Sequence, residues 1–142
     1  MPRTERLLVA FDGTPLAEKA LEHALTTYPD AEITVLHVID YVDDSYVAEA
    51  LVGSEELRER AHDRSAELLA DAKAVAGKRD REVVTATRVG RPAREILDYT
   101  ETHDIDTIVI GSHGRSLVAR VLLGSVAETV VRRAPVPVVV VR

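Results

Sequence analysis

Cysteine and tryptophan are absent from the 142-residue sequence, and aromatic residues make up only 4% of it. Without cysteine, the chain can form neither a disulfide framework nor a thiolate metal site. A core must instead be built from the aliphatic residues that dominate the 46% of hydrophobic residues. No apolar run approaches the roughly 20 residues that a membrane-spanning helix needs, and the first residues carry no signal-peptide pattern. We therefore expect a cytoplasmic protein that does not enter membranes.

Lysine is scarce as well, since it occurs only at positions 19, 73 and 78, while an excess of acids gives the chain a net charge of −6. Domains that bind nucleic acid are usually basic, so we expect no nucleic-acid partner. The few lysines and the acidic excess fit a salt-rich cytoplasm and a GC-rich genome equally well. The length is that of one domain, and we assign residues 1–142 to a single unit.

Five short apolar runs are typical of buried strands, and segments with helical spacing of apolar residues separate them. The runs cover residues 7–11, 33–39, 83–89, 107–110 and 136–141. Strands joined by helices in this way form a parallel sheet with helices on both faces and right-handed crossovers. The sequence therefore predicts an α/β fold of the Rossmann-like kind, with an open five-stranded parallel sheet in the strand order 3-2-1-4-5.

In such sheets, ligands bind at the carboxyl ends of the strands, at the place where the strand order reverses. In the predicted order this place lies between the first and fourth strands. Asp12 follows the first strand, Gly111 ends the fourth, and Val38 lies near the end of the second. We expect these three residues to meet at one edge of the sheet.

Glycines are concentrated after the fourth strand, as Gly111-x-x-Gly114 and, nine residues later, Gly124-Ser125. Glycine allows a backbone to approach a ligand closely, and the free N–H groups at a helix start attract anions. A nucleotide phosphate site is one interpretation. The other is purely structural, with Ser125 and Glu128 forming a capping box for the last helix. The stretch is not a P-loop, because no Lys-Ser/Thr pair follows the glycines.

Several polar side chains of the chain have more than one interpretation. Asp12 could bind ribose, orient a metal ion or cap the first helix, for which Thr14 is also a suitable N-cap. Arg115 either neutralises phosphate or is an exposed arginine at a helix start. We expect His113 to orient the glycine loop and His37 to be a satisfied core histidine. No Ser-His-Asp set or carboxylate pair stands out, so we expect at most slow hydrolysis.

The glycine stretch resembles the ATP-binding signature of the universal stress protein family, in which Gly-x-x-Gly is followed after nine residues by Gly-Ser. The matching strings are residues 110–115 and 122–126. Other parts of the chain are similar to the same family: Asp12 after the first strand, residues 36–40, Gly90-x-Pro92 and the terminal run 135–140. By this resemblance the chain is identified as a member of the ATP-binding branch of the family.

The resemblance implies the fold of the adenine nucleotide alpha hydrolases and a regulator that responds to bound ATP, or to AMP or ADP. It implies that Val38 presents its backbone to the adenine edge, while Ala10 and Asp12 flank the base and ribose. The phosphates and ribose would lie against Gly111, Ser112, His113, Gly114, Arg115, Ser116, Gly124, Ser125 and Val126, mostly on backbone N–H groups. Mg²⁺ or Mn²⁺ would be held mainly by the phosphates, with few protein ligands.

The last strand, Val136 to Val141, is apolar at nearly every position, although the predicted order places it at an edge of the sheet. An exposed apolar edge invites pairing with another chain, and the resemblance implies the same. We expect a homodimer formed by antiparallel pairing of this strand with its symmetry mate; a monomer with a covered edge is the alternative. Two other functions stay open, a dimeric interaction module that needs no nucleotide and a weak metal-dependent ATPase that uses Asp12.

Overall fold

The computed structural model describes residues 3–41, 54–114 and 123–142. Strands and helices alternate along these residues. The strands are β1 (Arg6–Ala10), β2 (Glu32–Ile39), β3 (Val84–Val89), β4 (Thr107–Gly111) and β5 (Val138–Val141), and the helices are α1 (Pro15–Thr27), α2 (Ser54–Gly77), α3 (Pro92–Thr102) and α4 (Ser125–Arg133). Within this described part of the chain, we find no helix with the length and apolar character that crossing a membrane requires.

The strands form one parallel sheet in the order β3-β2-β1-β4-β5, as predicted. β1 lies in the middle, where Leu7 is paired with Ile33 of β2 on one side and with Thr107 of β4 on the other. The strand order therefore reverses between β1 and β4, and the carboxyl ends of β1, β2 and β4 lie side by side.

The largest difference between a predicted and an observed strand end is at the start of β5, which is Val138 rather than Val136. Pro137 has no N–H to donate to a neighbouring strand, so regular pairing begins after it. Its carbonyl still accepts a hydrogen bond from the Ile108 N–H at 3.0 Å, which places this carbonyl on the β4 side. Peptide groups alternate in direction along a strand, so the backbone N–H and C=O of Val138 and Val140 point away from β4.

Side chains alternate across β1, and each face of the sheet therefore has its own core. Leu7 and Val9 pack with α1 and α2 on one face, whereas Leu8 packs with α3 and α4 on the other. All three side chains are fully buried, and burying a side chain of this kind contributes about 1.5–3 kcal/mol. Because aromatic residues are few, these aliphatic layers hold the helices against the sheet.

The start of α1 is the one that the sequence predicts. Thr14 is the N-cap, and its Oγ1 accepts a hydrogen bond from the Ala17 N–H at 3.3 Å. Pro15 occupies the first helical position, where a missing N–H costs nothing. The preceding Gly13 has a φ of 80°, a left-handed angle that favours glycine. Together these residues fix the turn that leads from β1 into α1.

Arg81 connects the end of α1 with the segments around it. Its guanidinium donates hydrogen bonds to the carbonyls of Leu25 at 2.8 Å, Tyr28 at 3.3 Å and Ala31 at 3.1 Å. The last carbonyls of a helix have no partner within the helix. One side chain, placed just before β3, therefore satisfies the end of α1 and the turn into β2. No pattern in the sequence singles out Arg81 for this role.

Candidate functional site

A cleft of about 260 Å³ opens at the carboxyl ends of β1, β2 and β4. Nine of the residues that the sequence analysis assigned to a site line it together: Ala10, Asp12, Val38, Gly111, His113, Gly114, Gly124, Ser125 and Val126. Ser112 is buried, with 4% of its surface exposed, and does not line the cleft. Arg115 and Ser116 lie outside the described residues. The expected meeting of the first, second and fourth strand ends is therefore observed.

One wall of the cleft is apolar. Leu36 and Val38 of β2, Ile110 of β4 and Ile96 of α3 form it together with Val126 at the start of α4. These side chains belong to the core on the α3–α4 face of the sheet or pack against it. An apolar wall that continues a packed core is rigid, and it suits the flat face of an aromatic ring such as a nucleobase.

Two glycines of the signature allow close packing within the protein itself. A Cβ on Gly124 would stand 3.0 Å from the Cα of His113, and a Cβ on Gly111 would stand 3.0 Å from the Cγ of Leu16. Neither glycine has a left-handed φ. Close approach to Leu16 and His113, rather than an unusual backbone angle, therefore favours glycine at both positions. This reason does not require a ligand.

Ser112 connects the end of β5 with the start of α4. Its N–H donates to the Val141 carbonyl at 2.8 Å, and its own carbonyl accepts a hydrogen bond from the Gly124 N–H at 2.5 Å. Its hydroxyl lies 3.1 Å from Nδ1 of His113. This contact joins two neighbouring residues of the glycine loop, and the orientation of the loop by His113 stays a prediction.

The capping box predicted for α4 is wrong. Gly124 is the N-cap, with extended angles of φ −69° and ψ 164°, and Ser125 is already the first helical residue. Glu128 therefore lies one position too far along the helix for the box, and its carboxylate pairs instead with Arg132 at 3.6 Å. The N–H groups of the first turn have no carbonyl partner within the helix. They lie at the cleft, which Gly124, Ser125 and Val126 line.

Asp12 is hydrogen bonded to the N-cap residue of α1, Thr14, and is not the N-cap itself. Its Oδ1 accepts hydrogen bonds from the Thr14 N–H at 3.1 Å and from the Thr14 hydroxyl at 2.5 Å. Thr14 in turn caps α1, so the alternative in which Asp12 caps the first helix is wrong. The other carboxylate oxygen, Oδ2, lies 2.7 Å from the position that a Cβ on residue 114 would occupy. One oxygen is thus used by the turn, and the other lies beside Gly114.

His37 is half-buried and hydrogen bonded, as expected for a satisfied histidine, but it also lines the cleft. Its Nδ1 lies 2.7 Å from the hydroxyl of Ser65, which in turn lies 3.0 Å from the hydroxyl of Thr87. Ser65 is only 1% exposed. This chain of side chains joins α2 to β2 and β3 at the side of the cleft.

The structure adds a charged residue that the sequence analysis missed, Arg64 of α2, which lines the cleft together with Ala61. A signal for it was present in the sequence. Ala61 and Leu68 are on the apolar face of the α2 pattern, and Arg64 lies three residues after the first and four before the second. Residues at this spacing share one helix face. A charged residue on an otherwise apolar face was the sign that this face meets a polar cleft.

Comparison with known proteins extends over nearly the whole chain. The model of the universal stress protein family matches residues 3–142. Universal stress protein MJ0531 of Methanocaldococcus jannaschii is 33% identical over 141 residues, which cover 97% of this chain and 82% of that protein. Universal stress protein YxiE of Bacillus subtilis is 30% identical over 152 residues, which cover 96% of this chain and 98% of that protein.

Solved structures of the same family share the fold. Universal stress protein UspA from Lactobacillus plantarum aligns with a TM-score of 0.82 and 30% identity over the full length of both chains. Protein MJ0577 of Methanocaldococcus jannaschii aligns with a TM-score of 0.83 and 31% identity, over 96% of this chain and 94% of that one. A universal stress protein solved in complex with cAMP is only 20% identical but aligns with a TM-score of 0.73.

Proposed function

The chain belongs to the universal stress protein family, and we propose that it binds an adenine nucleotide, namely ATP, ADP or AMP. We further propose that it acts as a nucleotide-responsive regulator of a stress response in the cytoplasm. The observation that carries the proposal is the position of Asp12 Oδ2 beside Gly114, at one end of a cleft with an apolar wall. Such a cleft offers separate surfaces for a base, a ribose and a chain of phosphates.

The base would lie against the apolar wall formed by Leu36, Val38 and Ile96, with the backbone of Val38 at its polar edge and Ala10 beside it. Asp12 would accept a hydrogen bond from a ribose hydroxyl through Oδ2, the oxygen that Thr14 does not use. Binding of a ribose hydroxyl by a carboxylate is also how Rossmann folds hold a dinucleotide.

The phosphates would lie at the start of α4. The first N–H groups of this helix, those of Ser125 and Val126, and the positive end of the helix dipole favour negative charge there. Because Gly114 has no Cβ, Oδ2 of Asp12 can lie against the backbone of the glycine loop. Arg115 and Ser116 stay predictions for the same phosphates, because the structure does not describe them.

A Mg²⁺ or Mn²⁺ ion bound with the nucleotide would be held mainly by phosphate oxygens and water, as Mg²⁺ usually is at such sites. Among residues 3–41, 54–114 and 123–142, no group of three or more histidine, cysteine or acidic side chains is placed to hold a metal ion. Asp12, which lines the same cleft, would add at most one ligand. Backbone N–H groups and one carboxylate are suited to holding a nucleotide, and we expect hydrolysis to be slow at most.

We also propose a homodimer that forms through β5. Val138, Val139 and Val140 are only half-buried within one chain. The backbone groups of Val138 and Val140 point to the open edge of the sheet. Antiparallel pairing with β5 of a second copy would satisfy these groups and cover the valine side chains.

The proposed function is tested by releasing and then restoring the nucleotide. The purified protein is denatured, the released small molecules are chromatographed, and the stripped, refolded protein is titrated with ATP and with AMP by calorimetry. We expect an adenine nucleotide in the released fraction, or saturable binding on titration. The absence of both results would refute the proposal.

A second candidate function is a dimeric interaction module that needs no nucleotide. The packing around two signature glycines favours it, because Leu16 and His113 account for Gly111 and Gly124 without a ligand. A stable dimer that binds no nucleotide at millimolar ATP would support this function over the first.

A further inference from the structure

Arg64 lies on the side of α2 that faces the cleft. Ala61 and Arg64 both line the cleft, and Leu68 follows one turn later on the same side. Leu68 packs against Gly13, so closely that a Cβ on this glycine would overlap it. Gly13 directly follows Asp12 in the turn after β1, so Leu68 is where α2 contacts this turn. Arg64 lies about one helical turn before Leu68, and its side chain therefore starts close to the turn that carries Asp12.

Buried hydrogen bonds hold this part of α2 in its orientation. Ser65 is 1% exposed, and its hydroxyl contacts both Nδ1 of His37 at 2.7 Å and the hydroxyl of Thr87 at 3.0 Å. A helix anchored to two strands in this way cannot rotate about its axis without breaking both contacts. The direction in which residue 64 leaves α2 is therefore set by the sheet.

The charged residues that line the cleft suggest what Arg64 does. Among the described residues that line it, Asp12 and Asp40 are acidic, and Arg64 is the one arginine or lysine. An anionic ligand in a cleft that carboxylates line is favoured by a cation nearby. No ion pair found among the described residues includes Arg64, whereas Arg60, one turn earlier, is paired with Glu56 at 3.0 Å.

We propose that Arg64 binds the phosphate part of the nucleotide from the α2 side of the cleft, opposite the N–H groups of α4. This inference rests on the proposed function and adds that the protein prefers phosphorylated ligands over the nucleoside. An arginine can donate two parallel N–H bonds to one phosphate, which makes the contact both strong and directional. Arg64 would then be a specificity-determining residue that separates adenine nucleotides from adenosine.

The test is a titration of three ligands against three proteins. Adenosine, AMP and ATP are titrated by calorimetry into the native chain, the Arg64→Gln variant and the Arg60→Gln control. Arg60 is the matched control because it is the same residue type on the same helix, paired outside the cleft. We expect Arg64→Gln to weaken ATP binding by about 10-fold or more, as the loss of a charge-assisted hydrogen bond does.

The expected pattern also includes two unchanged quantities. Adenosine should bind to Arg64→Gln within about two-fold of its affinity for the native chain, and Arg60→Gln should bind all three ligands normally. ATP binding that is equal in the native chain and in Arg64→Gln would overturn the inference. An equal loss for adenosine and ATP would overturn it too, because Arg64 would then act on the base or on the helix. If the native chain binds none of the three ligands, the proposed function itself fails.

Discussion

The Oδ2 oxygen of Asp12 lies 2.7 Å from the place where a Cβ on residue 114 would stand. Real Cβ atoms do not approach an oxygen so closely, so the two positions are coupled: residue 114 must be glycine for as long as Asp12 keeps its rotamer. The other oxygen of Asp12 is held by Thr14, which restricts that rotamer. A turn after β1 and a loop after β4 therefore constrain each other across the edge of the sheet.

Replacement of Gly114 by valine should abolish nucleotide binding. The new side chain would displace the carboxylate of Asp12 and fill the space proposed for the ribose and first phosphate, so we expect a loss of at least about 100-fold in affinity for ATP, since about 2.7 kcal/mol of contacts is enough for that factor. Gly77→Ala is the control, because a Cβ there has open space. Calorimetry measures both variants, with thermal unfolding as a check of the fold. Normal ATP binding by Gly114→Val would contradict the proposed path of the nucleotide.

Two substitutions of Asp12 should distinguish the roles of its two carboxylate oxygens. Asp12→Asn keeps an acceptor for Thr14, and its unfolding temperature should stay close to that of the native chain. Asp12→Ala removes the acceptor of both Thr14 hydrogen bonds and should lower the free energy of unfolding by about 2 kcal/mol, since each lost hydrogen bond costs about 1 kcal/mol. Both variants should bind ATP more weakly, because both lose the charge at Oδ2. If both bind ATP as tightly as the native chain, Asp12 has only a structural role.

The same variants test the weak metal-dependent ATPase. Phosphate release is measured with ATP and Mg²⁺ or Mn²⁺ against a protein-free blank. We expect release close to the blank for the native chain. A clear excess that disappears in both Asp12→Ala and Asp12→Asn would instead establish a slow ATPase that depends on the carboxylate.

The proposed dimer should depend on the backbone N–H of Val140, which points to the open edge of the sheet. Val140→Pro removes a donor that points away from β4, so it should leave the sheet of each protomer intact. Because both protomers carry the substitution, the proposed dimer would lose two hydrogen bonds of about 1 kcal/mol each, and its dissociation constant should rise at least about 10-fold. Val89→Pro on β3 is the matched control. The N–H of Gly90 donates inward to the Ile39 carbonyl at 2.9 Å, so the N–H of Val89 points outward at the other edge.

Size-exclusion chromatography with light scattering measures the dimer over a range of concentrations. Val89→Pro should leave the dimer unchanged, which shows that proline at any sheet edge is not enough to disturb it. A native chain that stays monomeric would contradict the proposed dimer, and an equal effect of both prolines would place the interface elsewhere.

Arg81→Met should destabilise the protein without affecting the nucleotide. The variant loses the donors for the carbonyls of Leu25, Tyr28 and Ala31, and we expect a loss of about 2 kcal/mol in the free energy of unfolding, since hydrogen bonds to charged groups contribute about 1.5–3 kcal/mol. Arg79→Met, at an exposed position two residues earlier, should change stability by less than about 0.5 kcal/mol. Urea denaturation compares the two. Equal stability of both variants would show that water replaces the guanidinium at no cost.

The fold could be predicted because its signals are local. Each strand is a run of aliphatic residues, each crossover has helical spacing, and few strand orders are compatible with such a chain. The strand ends that carry Asp12, Val38 and Gly111 were therefore predicted to meet, and they do. The start of β5 differed because Pro137 delays the pairing, although the apolar run begins before it.

The remaining features depend on contacts that no short pattern contains. Glycine and serine are both acceptable N-caps, so the sequence could not decide whether α4 starts after Gly124 or after Ser125. Arg81 acts on carbonyls about fifty residues away in the chain. Arg64 became part of the cleft only when the contact of α2 with the sheet was known. In each case tertiary packing selects one of several local possibilities.

The position of β1 in the middle of the sheet also affects how the protein is made. Leu7 is synthesised long before Thr107, which is one of its two strand partners. Pairing over such a separation in sequence is slow to form, and until it forms β1 keeps an open edge. The glycine loop and α4 follow β4 in the chain, so the cleft is incomplete until they have been synthesised. A nascent chain that lacks these residues therefore lacks the cleft, and the proposed nucleotide can stabilise only the folded protein.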